Sequence, residues 1–308
     1  MDGIRSNRDG NRRLENGRMV YYKQTANQDF WESIWSKGIT PNYYKPFQAG
    51  NLFDFEKIFK RHLPKAGMIL EAGCGTAQLV VALNSNNYNC MGFDYAINAM
   101  RKARQMVRSL RLVAGDLTTI GISNDAFDAI ISIGVVEHRH AGPEVFLYEM
   151  SRVLKPGGLL MISVPYFNPL RAWRARHDAY QDDVSGLDFY QYAFSREEFC
   201  SILESTGYEI ETTYSYAHQN TLTQELHWLG KIPGFIKKLL LRVSKHMPYV
   251  NSELGHMLMV VARNQLALLI EQEKEIFEYY ENWSSSNRFG SICHRGRAIH
   301  ICRSFYLP

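Results

Sequence analysis

Between residues 68 and 164 the chain alternates short apolar runs with longer amphipathic ones. Met68–Glu71, Cys90–Asp94, Arg111–Ala114, Phe127–Ile133 and Leu159–Val164 have the length of strands. They are apolar almost throughout rather than at every second position, as in Ala129-Ile130-Ile131-Ser132-Ile133, which predicts strands covered on both faces. Gln78–Asn84, Ala96–Val107 and Glu144–Leu154 lie between them and read as helices. The last of these is predicted to stop before Pro156-Gly157-Gly158, read as a turn. Ser195 and Glu198 form a capping-box pattern at the start of another helix, which Gly207 ends. Glu209–Tyr216 and His256–Arg263 supply two further strands. Strands alternating with helices imply right-handed crossovers and a parallel sheet. The expected fold class is α/β: a doubly wound, mostly parallel seven-stranded sheet with helices on both faces.

Less regular segments flank this alternation. Residues 1–18, rich in Arg, Asn, Gly and Asp, are expected to form a flexible leader. Residues 19–49 read as an N-terminal aromatic cap that includes Tyr21, Trp31, Trp35, Tyr44 and Phe47. Phe30, Trp31, Ile34 and Trp35 follow helical spacing, which suits a packing helix or a flap over a pocket mouth. Leu52–His62 reads as one more helix. Residues 50–263 form the main domain, interrupted by insertions at 165–194 and 217–255 that are expected on the acceptor side. Residues 264–308 are expected to form a C-terminal helix, Gln265–Trp283, and a tail without periodicity.

Composition narrows the class of protein. The chain has 308 residues and is 45% apolar, enough to bury a core. A formal charge of +4 gives no case for a nucleic-acid partner. Five scattered cysteines suit a reducing compartment. No apolar run approaches the about 18 residues of a membrane span, and the polar N-terminus does not read as a signal peptide. The expected location is cytoplasmic.

Chemistry concentrates where strands end. Met68–Glu71 runs into Gly73-Cys74-Gly75 and then a helix, a turn that lets the backbone approach a ligand closely. Glu71 sets a carboxylate beside that turn. Asp94 ends the second strand, about 20 residues past the turn, where an acidic side chain can accept both hydroxyls of a ribose. Asp116 follows the third strand and can accept from an exocyclic amine. Ile133-Gly134 ends the fourth. Gln78 stands where a dinucleotide fingerprint needs a third small residue, so the turn suits a ligand without a pyrophosphate.

The series Ile69-Leu70-Glu71-Ala72-Gly73-Cys74-Gly75-Thr76, Gly92-Phe93-Asp94, Gly115-Asp116, Phe127-Asp128-Ala129-Ile130-Ile131-Ser132 and Val153-Leu154-Lys155-Pro156-Gly157-Gly158-Leu159-Leu160 resembles the class I S-adenosylmethionine-dependent methyltransferases. The likeness is strongest to their small-molecule, methyltransferase-11-like branch and covers roughly residues 50–263. It implies a Rossmann-like methyltransferase fold and S-adenosyl-L-methionine as cofactor. It also implies that Glu71, Gly73 and Gly75 hold the methionine end, Asp94 the ribose, Asp116 and Leu117 the adenine, and that Ile133 and Gly134 lie beneath the sulfonium. The cofactor carries the reactivity and the protein orients it and the acceptor.

The acceptor side is less defined. The expected acceptor is a small molecule, a sugar or a lipid-linked intermediate. A hydroxyl acceptor needs a general base, for which His138 is the first candidate, with His140, Tyr166, His177, Tyr190 and His218 as others. No metal site is expected, since Glu137-His138, Cys293-His294 and His300-x-Cys302 match no trusted spacing. Arg171, Arg174, Arg176 and His177 form a basic cluster suited to an anionic acceptor or to a solvated helix face. Residues 231–247 form a basic amphipathic helix, read as a lid on the sheet domain or a peripheral membrane contact. The competing function is a catalytically silent methyltransferase-fold scaffold. Nucleic-acid methylation is disfavoured by the charge and by Ile133-Gly134-Val135-Val136 after the fourth strand.

Overall fold

A hairpin opens the described chain, β1 (Asn11–Glu15) and β2 (Arg18–Lys23), joined by Asn16-Gly17 with φ of 51° and 81°. Both central residues of this turn are left-handed, as a two-residue hairpin loop requires. The computed structural model describes residues 11–23, 28–35 and 40–265. Of the expected leader, residues 1–10 lie outside the described residues, and 11–18 belong to this hairpin, in register from Asn11 opposite Tyr22 to Glu15 opposite Arg18. Then come α1 (Gln28–Trp35), α2 (Pro41–Gln48) and α3 (Glu56–His62). Pro41 starts α2, and Pro46 lies inside it. Leu52–His62, expected as one helix, is a 3-10 turn at Phe53–Phe55 followed by α3.

The alternating region follows the expected elements within a residue or two. They are β3 (Met68–Ala72), α4 (Gln78–Ser85), β4 (Asn89–Asp94), α5 (Ile97–Met106), β5 (Leu112–Ala114), β6 (Phe127–Ile133) and α6 (Glu144–Val153). β7 (Leu154–Pro165) differs, because the strand begins at once where Pro156-Gly157-Gly158 was expected to turn. β6 takes two steps from Phe127 to Ala129 while β7 takes five from Leu154 to Leu159, so the three residues form a bulge.

The remaining elements are α7 (Pro169–Ala175), β8 (Asp188–Ala193), α8 (Arg196–Ser205), β9 (Tyr208–Tyr216), α9 (His218–Glu225), α10 (Gly234–Ser244), α11 (Pro248–Glu253) and β10 (Met257–Asn264). The Ser195 hydroxyl accepts from the Glu198 N–H at 3.1 Å, as the capping pattern requires. The expected helix Gln265–Trp283 and tail lie outside the described residues, except for Gln265.

Seven strands form one sheet in the order β5-β4-β3-β6-β7-β10-β9. Neighbours from β5 to β7 are parallel, and β10 is antiparallel to both β7 and β9. Successive residues of one strand face opposite layers, which is why continuous apolar runs are needed. On β6, Ile130 packs towards α6 and α8 with Leu147, Met150 and Phe199. Ala129 and Ile131 pack towards α3, α4 and α5 with Phe59, Val80 and Met100. Strand order reverses between β3 and β6, where an open α/β sheet leaves a crevice at its carboxyl edge. A second, three-stranded antiparallel sheet joins β1 and β2 to β8 from the first insertion.

Candidate functional site

A cavity of about 620 Å³ sits at that crevice, within the about 300–1,000 Å³ usual for small-molecule sites. Glu71, Gly73, Gly75, Asp94, Asp116, Leu117, Ile133 and Gly134 all line it, and so does His138. Residues from four separate strand ends are thus brought to one space. His140, Tyr166, His177, Tyr190 and His218 do not line it. His140 is exposed and lies against Phe189 and Tyr192.

The glycine turn is bound to its neighbours. Gly73 and Cys74 donate from their N–H groups to the Phe93 carbonyl of β4, at 2.8 and 3.2 Å. The Gly75 N–H donates to Asp94 Oδ2 at 2.7 Å, and the Ala96 N–H to Asp94 Oδ1 at 2.8 Å. One carboxylate therefore fixes the turn after β3 and the turn after β4 together. Glu71 Oε2 accepts from the Val80 N–H at 3.0 Å and so satisfies an amide of the first turn of α4. Gly73 holds φ of 83°, and a Cβ there would stand 2.3 Å from Val135 Cγ2. Gly73→Ala combines left-handed strain with a steric clash, so it should lower stability by about 2–4 kcal/mol in urea unfolding.

Burial pushes the Glu71 carboxyl well above the usual range, and the nearby charge of Asp94 adds to this. Burial also raises Asp94, against the backbone N–H groups of Ala96, Gly75 and Tyr95. Two buried carboxyls raised in this way are a site short of positive charge. Arg139 is the one cationic residue on the wall formed by the described residues. A phosphate-free, positively charged adenosyl group fits this donor set; a pyrophosphate does not.

Aromatic residues close the other side. Trp31 and Trp35 of α1 line the cavity, so this helix forms part of its wall. Their rings stack at 5.9 Å, and a Cβ on Gly75 would stand 3.2 Å from the Trp35 ring. Tyr44 donates its hydroxyl to the Thr76 carbonyl at 2.7 Å and ties α2 to the glycine turn. Phe47, Phe53, Phe55 and Phe146 add to the wall, a contribution that only their position in the fold reveals.

His138 follows β6 in a 3-10 turn, Val136–His138. Its Nδ1 lies 2.9 Å from the Tyr190 carbonyl, which can only accept, so Nδ1 carries the proton and Nε2 the lone pair. Trp31 meets the ring edge-on at 4.8 Å. Burial pushes the imidazole down to about 4, which keeps it neutral at pH 7. Glu137 next to it is buried away from the cavity wall and pushed up to about 8 by burial.

Of the basic cluster after β7, Arg176 and His177 are exposed, as on a solvated helix face, whereas Arg171 and Arg174 do something other than expected. Arg171 is fully buried and donates from Nε to Glu225 Oε1 at 3.1 Å and from Nη1 to the Tyr166 carbonyl at 2.7 Å. Arg174 Nε stands 3.4 Å from Glu225 Oε2, and its Nη1 meets the Glu225 carbonyl. These arginines are committed to an internal network and line no part of the cavity. Their partner lies more than 50 residues further along the chain. No local signal points to it.

Residues 70–162 match a family model described as "Methyltransferase domain". A Mycolicibacterium smegmatis protein named as an S-adenosylmethionine-dependent methyltransferase is 26% identical over 153 residues, 49% of this chain and 55% of that one. A Staphylococcus epidermidis demethylmenaquinone methyltransferase is 27% identical over 173 residues, 52% of this chain and 71% of that one. The chain thus spans only about half of the first of these relatives. A chain of the solved complex between the Haloferax volcanii Trm112 methyltransferase activator and a methyltransferase shares the fold, with a TM-score of 0.51 and 16% identity over 78% of this chain and 97% of that one. The matched stretch begins inside β3 and ends inside β7, so residues 70–162, which take in the glycine turn and the acidic strand ends, are a methyltransferase domain of the S-adenosylmethionine-dependent type.

Proposed function

We propose that this protein moves the methyl group of S-adenosyl-L-methionine to a small, apolar, ring-bearing acceptor. The observation that carries the reading is the convergence of Glu71, Asp94 and Asp116 with the glycine turn on one cavity. Bound there, the cofactor supplies an electrophilic methyl and leaves as the thioether. Glu71 and the turn would hold its amino-acid end, Asp94 the ribose and Asp116 the adenine amine. The aromatic wall excludes water and presents flat apolar surface to the acceptor. Alignment of the two reactants then contributes several kcal/mol, on the order of 7–11 in the best cases.

His138 bears on the class of acceptor. A neutral imidazole lowered to about 4 is a weak base, unable to take a proton from an aliphatic alcohol efficiently. It can accept a hydrogen bond from a phenol or an enol, whose own acidity does most of the work. This favours phenolic, quinol-like or activated-carbon acceptors over sugar hydroxyls. The relative named demethylmenaquinone methyltransferase is consistent with such a class. The silent-scaffold reading would leave the buried carboxylates without a ligand.

Isothermal titration with S-adenosyl-L-methionine tests the first half of the proposal. Glu71 and Asp94 sit above their usual ranges in the free protein, so a cationic ligand must draw them to the ionised form. Binding should therefore tighten as pH rises through their raised titration range and release protons, visible as a buffer-dependent heat. Absence of binding would leave the scaffold reading standing. Radiolabelled methyl transfer to a panel of phenols, quinols and sugars tests the second half; labelling of sugars alone would overturn the acceptor class.

A further inference from the structure

The insertion after β9 turns an apolar helix face outward. On α10, Phe235, Leu239 and Val243 are 73%, 60% and 51% exposed, and Ile236 and Leu240 on the same face are exposed as well. The side that packs inward carries Ser244, buried, and Leu241, whose carbonyl accepts from Gln219 Nε2 of α9 at 3.1 Å. The helix is therefore held by the side that carries Leu241 and Ser244 and presents its stripe to solvent among the described residues. A lid packed through the stripe would show the reverse. Trp228 before α10 and Tyr249 after it are 51% and 60% exposed. Contiguous apolar exposure of this kind marks an interaction site.

Charge indicates what the face meets. Lys231, Lys237, Lys238, Arg242 and Lys245 flank the stripe, and no acidic residue occurs between Glu225 and Glu253. An apolar stripe edged only by cations complements an anionic lipid surface. Exposed Trp and Tyr at both ends match the residues that settle at a headgroup boundary. No helix among the described residues is long and apolar enough to cross a membrane, so the contact lies in the surface plane. The insertion begins beside the cavity: Tyr216 at the end of β9 packs edge-on against Phe55, which lines it, with ring centroids 5.1 Å apart.

We propose that α10 docks this protein on anionic bilayers, with Phe235, Leu239 and Val243 entering the headgroup boundary and Lys238 and Arg242 meeting lipid phosphates. This does not rest on the methyl-transfer reading. The test is flotation of the full chain with vesicles of phosphatidylglycerol and phosphatidylcholine, against phosphatidylcholine alone, at low and high salt. Binding should require the anionic lipid and weaken in high salt. Lys238→Glu with Arg242→Glu should reduce the bound fraction on the order of tenfold or more. Leu239→Ser with Val243→Ser should reduce it as well, with melting temperature and cofactor affinity unchanged in both variants. If the full chain fails to float, as it would were the face covered by a second copy or by the acidic residues 271–281, the proposal is overturned. It is equally overturned if either double variant floats like the wild type.

Discussion

Asp94→Ala should abolish measurable cofactor binding, lowering affinity on the order of 10²–10⁴-fold in isothermal titration. An ionised carboxylate offers about four lone-pair sites. Backbone N–H groups of Gly75, Ala96 and Tyr95 engage part of these, and the remainder is left for a ligand in the cavity that Asp94 lines. Hydrogen bonds to a charged group contribute about 1.5–3 kcal/mol each, and two ribose hydroxyls then account for the expected loss. The substitution also strands backbone donors, the Gly75 and Ala96 N–H groups among them, at about 1–3 kcal/mol apiece, so the melting temperature should fall too. Asp116→Ala separates the two effects. Asp116 is exposed and accepts from the Thr118 N–H alone among the described hydrogen bonds, so its loss should weaken binding with little change in stability. If Asp94→Ala bound as tightly as wild type, the assignment of this cavity to the adenosyl group would be wrong.

Glu225→Ala should destabilise the protein by about 3–5 kcal/mol in denaturant unfolding, through charges left buried without a partner. The Glu225 side chain is fully buried and takes Arg12 at 2.7 Å, Arg171 at 3.1 Å and the Tyr180 hydroxyl at 2.7 Å. Burial alone would raise this carboxyl, but Arg12 and Arg171 outweigh burial and hold it below its ordinary range. A lowered carboxyl stabilises the fold above its unfolded pKa, and that contribution is lost as pH falls through the lowered value. His256 beside Arg171 is pushed down to about 3, mainly by burial, and so stays neutral above that range. Glu225→Gln, which keeps the shape and removes the charge, should flatten the acid side of the stability profile. The expected loss includes the hairpin, because Arg12 lies on β1.

The sheet and the acidic and glycine residues that line the cavity were legible because both are written locally. A strand buried on two faces needs apolar residues on both, and Phe127–Ile133, apolar but for Asp128 and Ser132, has the same limits in sequence and structure. Carboxylates at the ends of such strands are read by counting from the glycine turn. Features that depend on distant partners were not legible. Arg171 and Arg174 look like an anion site until Glu225 is brought beside them. The outward face of α10 cannot be told from an inward one by periodicity, which is the same for both. The hairpin is a different case. Asn16-Gly17 is a strong short-range hairpin signal, but the charged residues around it read as disorder. Pairing with β8 supplies the third strand that an isolated hairpin lacks.

That pairing has a consequence for synthesis on the ribosome. The Arg12 N–H bonds Asp182, 170 positions further along the chain, and β2 pairs with β8 just beyond. At about 5–20 residues per second, the ribosome delivers those partners roughly 10–35 seconds after the hairpin emerges. Through that interval β2 has an open edge and Arg12 has no carboxylate, since Glu225 arrives later still. The small sheet can consequently close only after β3 to β7 have emerged, and it can do so before β9 and β10, which complete the large sheet, have been made.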